Sequence, residues 1–221
     1  MCGRYALAEP DDELIELFEA IPANDLPEGP CWNVCPTMQV PVVRATGAGR
    51  RLVSMRWGFV PAWYKTPTDG PLLINARAET IAEKPAFRAA CRERRCLIPA
   101  TGFYEWTKAE DGARLPWYFH STAGEPLVFA GIWQDWGPDA TATCAIVSCA
   151  AGPIMAEIHH REPVTLAAED WALWLGEAEG KAAPLMRAAP EGRIARYRVG
   201  AAVNSNRAEG RELIKPLTDA G

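Results

Sequence analysis

The apolar and polar positions along the chain predict a fold rich in β-strands. Short apolar or alternating runs, bounded by glycine, proline or aspartate, recur over most of its length and are typical of strands. The predicted strands are Tyr5–Leu7, Val40–Val43, Arg51–Phe59, Leu72–Thr80, Cys96–Ala100 continuing to Trp106, Trp117–His120, Leu127–Trp133, Thr143–Cys149 and Ile194–Val199. Turn residues at 47–49 and 111–112 join neighbouring strands, and the later strands indicate an antiparallel sheet of meander type.

Helical spacing of apolar residues predicts three short helices beside this sheet. The first covers residues 12–21, the second begins near position 84, and the third covers residues 166–175 and ends at Gly176. There is no internal repeat, low-complexity tract or change of composition that marks a boundary. We therefore expect residues 1–221 to form a single domain of α+β class.

Composition narrows the class of protein. A 48% hydrophobic content over 221 residues is enough for a sizeable core. No apolar stretch approaches the roughly 20 residues of a membrane span, and no secretory leader is recognisable, so we expect a cytoplasmic protein. The seven cysteines lack the tight spacing of common zinc modules, so we expect thiols and no metal.

The net charge of −5 argues against a protein that is covered in phosphate contacts. A local basic groove remains compatible with it, since binding depends on where the charges lie. The densest basic cluster is Arg88, Arg92, Arg94 and Arg95. It fits either a solvated helix face or a phosphate-binding edge.

The most distinctive chemistry lies in the first four residues, Met1-Cys2-Gly3-Arg4. Removal of Met1 would leave Cys2 with an α-amine and a thiol on neighbouring carbons, and their ordinary pKa values are about 8 and 8.5. Such a pair condenses with an aldehyde to an imine, and the thiol then closes a thiazolidine ring. The alternative is that Cys2 is only a buried strand residue, as free cysteines often are.

Two further residues have the chemistry of general acids and bases. Glu105 lies between two large aromatic residues, where a carboxylate needs a dedicated partner. His159 and His160 come just before Pro163 on a predicted loop, where functional residues concentrate. A histidine pair alone is weak support, because many such residues are structural or simply exposed.

Polar and aromatic residues between positions 63 and 77 are candidates for ligand binding. Asn75 and Arg77 are two apart on a predicted strand and so share one face, although Asn75 would serve equally as a turn residue. Trp63 and Tyr64 are adjacent and follow a proline. Both can hardly point inward, so at least one is a candidate for contact with a ligand.

Taken in order, these segments resemble the SOS response-associated peptidase (SRAP) family, the abasic-site processing proteins. The resemblance runs nearly from end to end. Its motifs are Met1-Cys2-Gly3-Arg4-Tyr5, Asn33-Val34-Cys35-Pro36, Trp57-Gly58, Ile74-Asn75-Ala76-Arg77-Ala78-Glu79-Thr80, Arg95-Cys96-Leu97-Ile98-Pro99-Ala100, Gly102-Phe103-Tyr104-Glu105-Trp106, Ile158-His159-His160-Arg161 and Val203-Asn204. The ordered set is far more specific than any single motif.

The resemblance implies a compact domain around a twisted antiparallel, barrel-like sheet, and a covalent link from Cys2 to abasic sites in single-stranded DNA. It implies that Glu105 deprotonates the α-amine and that His159 helps to open the sugar ring as an acid. Asn75 would orient the sugar or the imine through its amide. The runner-up function is an N-terminal-cysteine autopeptidase or amide hydrolase.

The resemblance also implies a DNA-binding set around these catalytic residues. Its arginines would contact phosphates, and its proline and aromatic residues would pack against bases. The set is Arg4, Pro36, Trp63, Tyr64, Arg77 and Arg161. No cofactor, metal or membrane is implied, and a monomer is expected. Glu162 departs from the family pattern, and its charge would either weaken DNA binding or pair with Arg161.

Overall fold

The computed structural model describes residues 2–217, and the chain folds into an α+β domain of two β-sheets with short helices. The strands are β1 (Tyr5–Leu7), β2 (Ala20–Pro22), β3 (Cys31–Val34), β4 (Gln39–Thr46), β5 (Gly49–Trp57), β6 (Asn75–Arg77), β7 (Arg95–Ala100), β8 (Gly102–Lys108), β9 (Arg114–Ser121), β10 (Leu127–Trp136), β11 (Thr141–Ala150), β12 (Arg161–Pro163) and β13 (Ile194–Arg198). The α-helices are α1 (Asp11–Phe18), α2 (Arg88–Glu93), α3 (Pro153–Ala156) and α4 (Trp171–Leu175).

The larger sheet closes on itself as a barrel. Its strand order is β12-β11-β10-β7-β4-β5-β2, and β11 also pairs with β5. That last contact is a short parallel bridge in which Thr143 pairs with Arg56 and Cys144 with Trp57. The ring of β5, β4, β7, β10 and β11 encloses apolar side chains that are fully buried, as expected of a small barrel. The prediction of a barrel-like, mainly antiparallel sheet is therefore confirmed.

The smaller sheet has the order β13-β9-β8-β1-β3, and the chain passes into it from the barrel at Thr101. The Thr101 amide donates to Ala6 O at 2.8 Å, which fixes the crossing point. Gly102 follows, where an added Cβ would lie 2.4 Å from Phe119 O, so only glycine allows the strands to approach this closely. The continuous strand that was predicted through Trp106 is thus two strands in two sheets.

Further sequence predictions differ from the structure. The strand predicted over Leu72–Thr80 is reduced to β6, because residues 78–80 form a turn. The meander is wrong between β9 and β10, which are consecutive in the chain but lie in different sheets. Residues 127–132 of β10 are all buried, and the barrel is where both faces of a strand are covered. The first helix ends at Phe18, because Glu19 adopts a left-handed conformation with φ of 50°, and residues 20–22 then form β2.

The remaining helices support the sheets from outside. The third predicted helix is a short 3-10 turn followed by α4, and it ends as expected at Gly176 with φ of 82°. Trp174 lies against the barrel, and its Nε1 donates to Cys96 O at 2.9 Å. Within residues 2–217, no helix is long and apolar enough to cross a membrane.

Candidate active site

Cys2 lies three residues before the internal strand β1, between the barrel and the smaller sheet. Its residue is fully buried, and β1 runs between β8 and β3. Asn75, the first residue of β6, reaches it from the barrel side, and its Nδ2 donates to Cys2 O at 2.9 Å. Because β6 pairs in parallel with β11, the barrel itself sets the position of this amide.

Glu105 approaches Cys2 from the smaller sheet. It is 5% exposed on β8, and the neighbouring Tyr104 amide donates to Arg4 O at 2.9 Å, so the first residues run alongside this strand. Burial raises the pKa of the Cys2 thiol well above its ordinary value, and the charge of Glu105 raises it further. The thiol of Cys2 is therefore protonated at neutral pH in this state of the chain.

His159 lies on the turn that follows α3. His159 Nδ1 faces the backbone of Arg161, with the Arg161 amide nitrogen at 3.0 Å and the Arg161 carbonyl oxygen at 3.3 Å, so it can accept from the first or donate to the second. The ring stacks on His160 with a centroid distance of 4.3 Å. Burial lowers the pKa of His159, and the nearby Glu105 carboxylate partly opposes that shift.

The structure thus brings together the predicted residues Cys2, Asn75, Glu105 and His159 from four separate segments. Asn75 contacts Cys2 directly, and Glu105 is close enough for its charge to shift the pKa of both Cys2 and His159. A nucleophile, a carboxylate, an imidazole and an amide donor in one place can carry out proton transfer at a carbonyl. In the range 2–217, no group of three or more histidine, cysteine, aspartate or glutamate residues could hold a metal.

A groove beside Asn75 collects several of the predicted DNA-binding residues. It has a volume of about 530 Å³. Its lining residues are Pro61, Trp63, Tyr64, Leu73, Asn75, Arg77, Thr80, Lys84, Pro85, Ala86 and Phe87. Trp63 is 59% exposed, and Arg77 is also exposed. Lys84 was missed from the sequence, since a lysine before a proline carries no signal for a groove.

The loop that presents Trp63 and Tyr64 is held by its own hydrogen bonds. The Asp69 carboxylate accepts from the Thr66 amide at 3.1 Å and from Thr66 Oγ1 at 2.6 Å. Trp136 Nε1 donates to Tyr64 O at 2.9 Å. These contacts fix the backbone under the two aromatic residues and leave the Trp63 ring open to solvent.

Arg161 and Glu162 have partners inside the protein. Arg161 is 8% exposed, and its guanidinium binds both oxygens of Glu79, at 2.7 and 3.0 Å, and Ser148 O at 2.6 Å. The carboxylate of Glu162 accepts from the Gly152 and Ala189 amides, both at 2.8 Å. Glu162 therefore does not pair with Arg161. The geometry favours a supporting role for Arg161 over a direct phosphate contact, which remains a prediction.

The other predicted DNA contacts lie outside the groove lining. Arg4 is half-buried, and its Nη1 donates to Asn33 Oδ1 at 2.7 Å and to Val203 O at 3.1 Å. Pro36 is half-buried just after β3. Neither lines the groove that holds Trp63 and Arg77. Their contacts with DNA remain predictions.

The basic cluster on and after α2 is divided between two environments. Arg95 donates to Cys91 O at 2.9 Å and to Arg92 O at 2.8 Å, so it caps the end of the helix. Arg88 and Arg92 are exposed. Their exposure favours the solvated-face interpretation for Arg88 and Arg92, whereas the guanidinium of Arg95 binds the protein's own backbone.

The fold has a close counterpart among solved structures. A crystal structure of a protein from Bacteroides thetaiotaomicron matches with a TM-score of 0.85 over 98% of this chain and 100% of that chain, at 21% identity. At that identity the likeness concerns the fold alone. It places this chain in the class of α+β proteins with this two-sheet architecture.

Sequence comparison then identifies the family. Residues 1–206 match the family described as SOS response associated peptidase (SRAP), and the chain belongs to that family. It is 37% identical over 181 residues to the Abasic site processing protein YoqW of Bacillus subtilis, covering 79% of this chain and 80% of the relative. It is 30% identical over 228 aligned positions to the Abasic site processing protein YedK of Escherichia coli, covering 98% and 100%.

Proposed function

We propose that this protein captures abasic sites in single-stranded DNA by a covalent bond to Cys2, after Met1 has been removed. The observation that carries the proposal is the convergence of Asn75, Glu105 and His159 on Cys2. The names of the relatives YoqW and YedK point to the same class of substrate. An abasic sugar in its ring-opened form presents an aldehyde, which is the electrophile that a 1,2-aminothiol traps durably.

The order of the two bonds follows from the protonation of Cys2. While Met1 is present, burial and the charge of Glu105 raise the pKa of the thiol, whereas an ordinary α-amine has a pKa near 8 and is partly unprotonated at neutral pH. The amine nitrogen therefore attacks the C1′ aldehyde first, and loss of water leaves an imine. The sulfur then attacks the imine carbon, its proton passes to the ring nitrogen by way of Glu105, and a thiazolidine remains. Aldehyde and aminothiol give thiazolidine and water, and no oxidant is required.

His159 and Asn75 assist other parts of this reaction, namely the opening of the sugar ring and the orientation of the α-amine. In its charged form the His159 ring carries a proton on both nitrogens, so it can donate one to the ring oxygen of the closed sugar and promote opening. Asn75 holds the backbone carbonyl of Cys2 through its Nδ2, which fixes the direction in which the α-amine points. These roles require no metal or cofactor.

The groove of Trp63, Tyr64, Arg77 and Lys84 would hold the strand beside the abasic nucleotide. Aromatic stacking and scattered positive charges suit single-stranded DNA of any sequence. The net charge of −5 makes binding before crosslinking weak and sensitive to salt. We place the protein in the DNA damage response as a monomer of the cytoplasm, associated with the nucleoid in a bacterium.

Intact mass spectrometry tests the proposal directly. The protein is incubated with a single-stranded oligonucleotide that carries one abasic site. We expect loss of Met1 and a heavier species that survives denaturation, and we expect that species to be absent with Cys2→Ala. An oligonucleotide with a reduced abasic sugar, which has no aldehyde, is the matched control. A protein that lacks Met1 and stays unmodified would contradict covalent capture.

An N-terminal-cysteine autopeptidase or amide hydrolase is the second candidate. A carboxylate and an imidazole beside a thiol also suit amide hydrolysis, and the family description contains the word peptidase. Cys2→Ser separates the two functions. It keeps a nucleophile for hydrolysis but cannot form a stable thiazolidine, so retained peptide cleavage with no DNA adduct would favour the hydrolase. Strand cleavage at the abasic site, read on a denaturing gel, would reveal lyase activity at the imine stage.

A further inference from the structure

A tryptophan between two arginines lies on the same face of the smaller sheet as Glu105. Trp117 of β9 pairs with Glu105 of β8 on one side and with Arg198 of β13 on the other. Residues that are directly paired across strands point to the same face, so the three side chains form one row. The guanidinium carbons of Arg196 and Arg198 lie 5.1 and 5.3 Å from the centre of the Trp117 ring. Sequence reasoning missed this row, because its residues come from three separate strands.

The two arginines differ in what they already bind. Arg196 donates to Ile154 O at 2.5 Å and forms an ion pair with Glu157, so it fastens β13 to the segment before His159. Arg198 donates only through Nε, to Pro116 O at 3.3 Å. Within residues 2–217, its terminal nitrogens have no acceptor. The pair therefore contains one structural cation and one cation that is available to a ligand.

The support under Arg198 suits a phosphate ligand. The guanidinium of Arg198 lies over the Trp117 ring, which restrains the side chain, and Arg198 is only half-buried. Trp117 is itself fixed, since its Nε1 donates to Thr107 Oγ1 at 3.1 Å. A planar guanidinium with a free edge binds phosphate through two parallel hydrogen bonds, and ordering it in advance reduces the entropy lost on binding. No carboxylate of the described chain pairs with it.

The strand order of the smaller sheet shows on which side of Cys2 Arg198 lies. In the strand order of the smaller sheet, β13 lies two strands from β8, about 10 Å at the usual strand spacing. Cys2 precedes β1, on the opposite side of β8 from β9 and β13. Asn75 and Arg77 reach the site from the barrel. Arg198 and Arg77 are therefore carried by different sheets, and each sheet also contributes a residue to the candidate site, Glu105 and Asn75 respectively.

We propose that Arg198, supported by Trp117, is a second phosphate-binding subsite that holds the DNA strand on the side of the abasic nucleotide opposite to Arg77. The inference rests on the proposed function in so far as the ligand is DNA. A strand held on both sides of the reacting sugar has less freedom than one held on a single side. The aldehyde is then kept at the nucleophile for longer, and proximity of this kind raises reaction rates.

Reversible binding by full-length protein with Cys2→Ala tests the subsite. The probes are three single-stranded oligonucleotides with a stable abasic analogue: one has nucleotides on both flanks, one only on the 5′ side and one only on the 3′ side. For the two-flank probe, Arg198→Gln should weaken binding about fivefold at low salt and reduce the slope of log K against log salt by about 0.7. Arg198→Gln should weaken the binding of one single-flank probe and leave the binding of the other unchanged. Arg77→Gln should weaken the binding of the other probe instead.

Arg114 supplies the matched control. It also stacks on a tryptophan, with its guanidinium carbon 4.6 Å from the Trp106 ring centre, but its position on β9 turns it to the opposite face from Glu105. Arg114→Gln makes the same change of charge and should leave the salt slope unchanged. Arg198→Lys keeps the charge and should retain most of the slope, and circular dichroism checks that each variant is folded.

The outcomes separate the subsite from the proposed function. An unchanged slope with Arg198→Gln, or an equal loss with both single-flank probes, would overturn the subsite. Crosslinking by the wild-type chain is measured in parallel with an aldehyde-bearing probe. If Arg198→Gln lowers the salt slope but the wild-type chain forms no crosslink, the subsite is supported and covalent capture is rejected. If the wild-type chain crosslinks normally and Arg198→Gln leaves the slope unchanged, covalent capture is supported and the subsite is rejected.

Discussion

The reactive cluster and the groove beside it are built in opposite ways. Cys2 and Glu105 are buried, and the cluster is held by strands from both sheets and by the backbone of the turn at His159. The groove presents Trp63 and Arg77 to solvent, and hydrogen bonds of the 63–69 loop fix the backbone below Trp63. Burial shifts the pKa values of the reactive groups and fixes the orientation of their side chains, and a catalytic cluster needs both. Exposure leaves surfaces that accept different bases. Substitutions in the two regions should therefore fail in different assays.

The largest effect should come from Glu105→Gln, which removes the charge and keeps the shape. If Glu105 transfers protons for the Cys2 amine and thiol, the single-turnover crosslinking rate should fall about 100-fold or more. Affinity for the non-reactive abasic analogue should change little. A rate within a few-fold of wild type, in a variant with normal thermal stability, would show that the cluster works without this carboxylate.

Arg161→Ala should damage the support of the cluster and lower stability. The variant breaks the ion pair with Glu79 and removes one donor to Ser148 O, which keeps its hydrogen bond from the Ala78 amide. Since the Glu79 side chain is half exposed, we expect a loss between that of a surface ion pair and that of a fully buried one. This loss is about 2–3 kcal/mol in the free energy of unfolding, measured with urea. Arg88→Ala, on an exposed helix position, is the control, with an expected change within about 0.5 kcal/mol. Equal losses would mean that the pair contributes nothing.

Trp63→Ala should weaken DNA binding and leave the chemistry intact. Loss of one stacked base costs about 1–3 kcal/mol, so the affinity for single-stranded DNA should fall roughly tenfold. The crosslinking rate at saturating DNA should stay close to that of wild type, because Trp63 is not part of the cluster. Trp63→Phe keeps an aromatic face and should recover most of the affinity. A lower rate at saturation would mean that the groove and the cluster are not independent.

The smallest effect is a shift in the titration of His159. Burial lowers its pKa, so the imidazole should half-titrate below the ordinary value near 6.5. The Glu105 carboxylate favours the protonated ring, so in Glu105→Gln the pKa should fall further. NMR spectroscopy of the imidazole measures both values, and His159→Gln assigns the signal. An upward shift in Glu105→Gln would contradict the charge interaction between these two residues.

The sequence predicted those features that depend on local pattern. Most of the longer strands, the hairpin at 47–49 and the helix end at Gly176 follow from residues close to one another in the chain, whereas the short strands β2, β3 and β12 were not predicted. The sheet to which β9 belongs could not be predicted, because pairing is decided by distant strands. The partner of Arg161 is Glu79, 82 positions away, and nothing near either residue signals it. Glu162 is likewise explained by two amides that only the fold brings together.

The residues that follow Cys2 are held on both edges. The Arg4 and Ala6 carbonyls accept hydrogen bonds from the Tyr104 and Thr101 amides, and β3 covers the other side of β1. Proteases cut exposed, mobile segments, and an internal strand becomes accessible only when its sheet opens. A protease could therefore not release an adduct on Cys2 by cutting the backbone just after this residue while the domain stays folded. The lifetime of the adduct against proteolysis would be set by the unfolding rate of the domain, and rapid removal would require a protease that is coupled to an unfoldase.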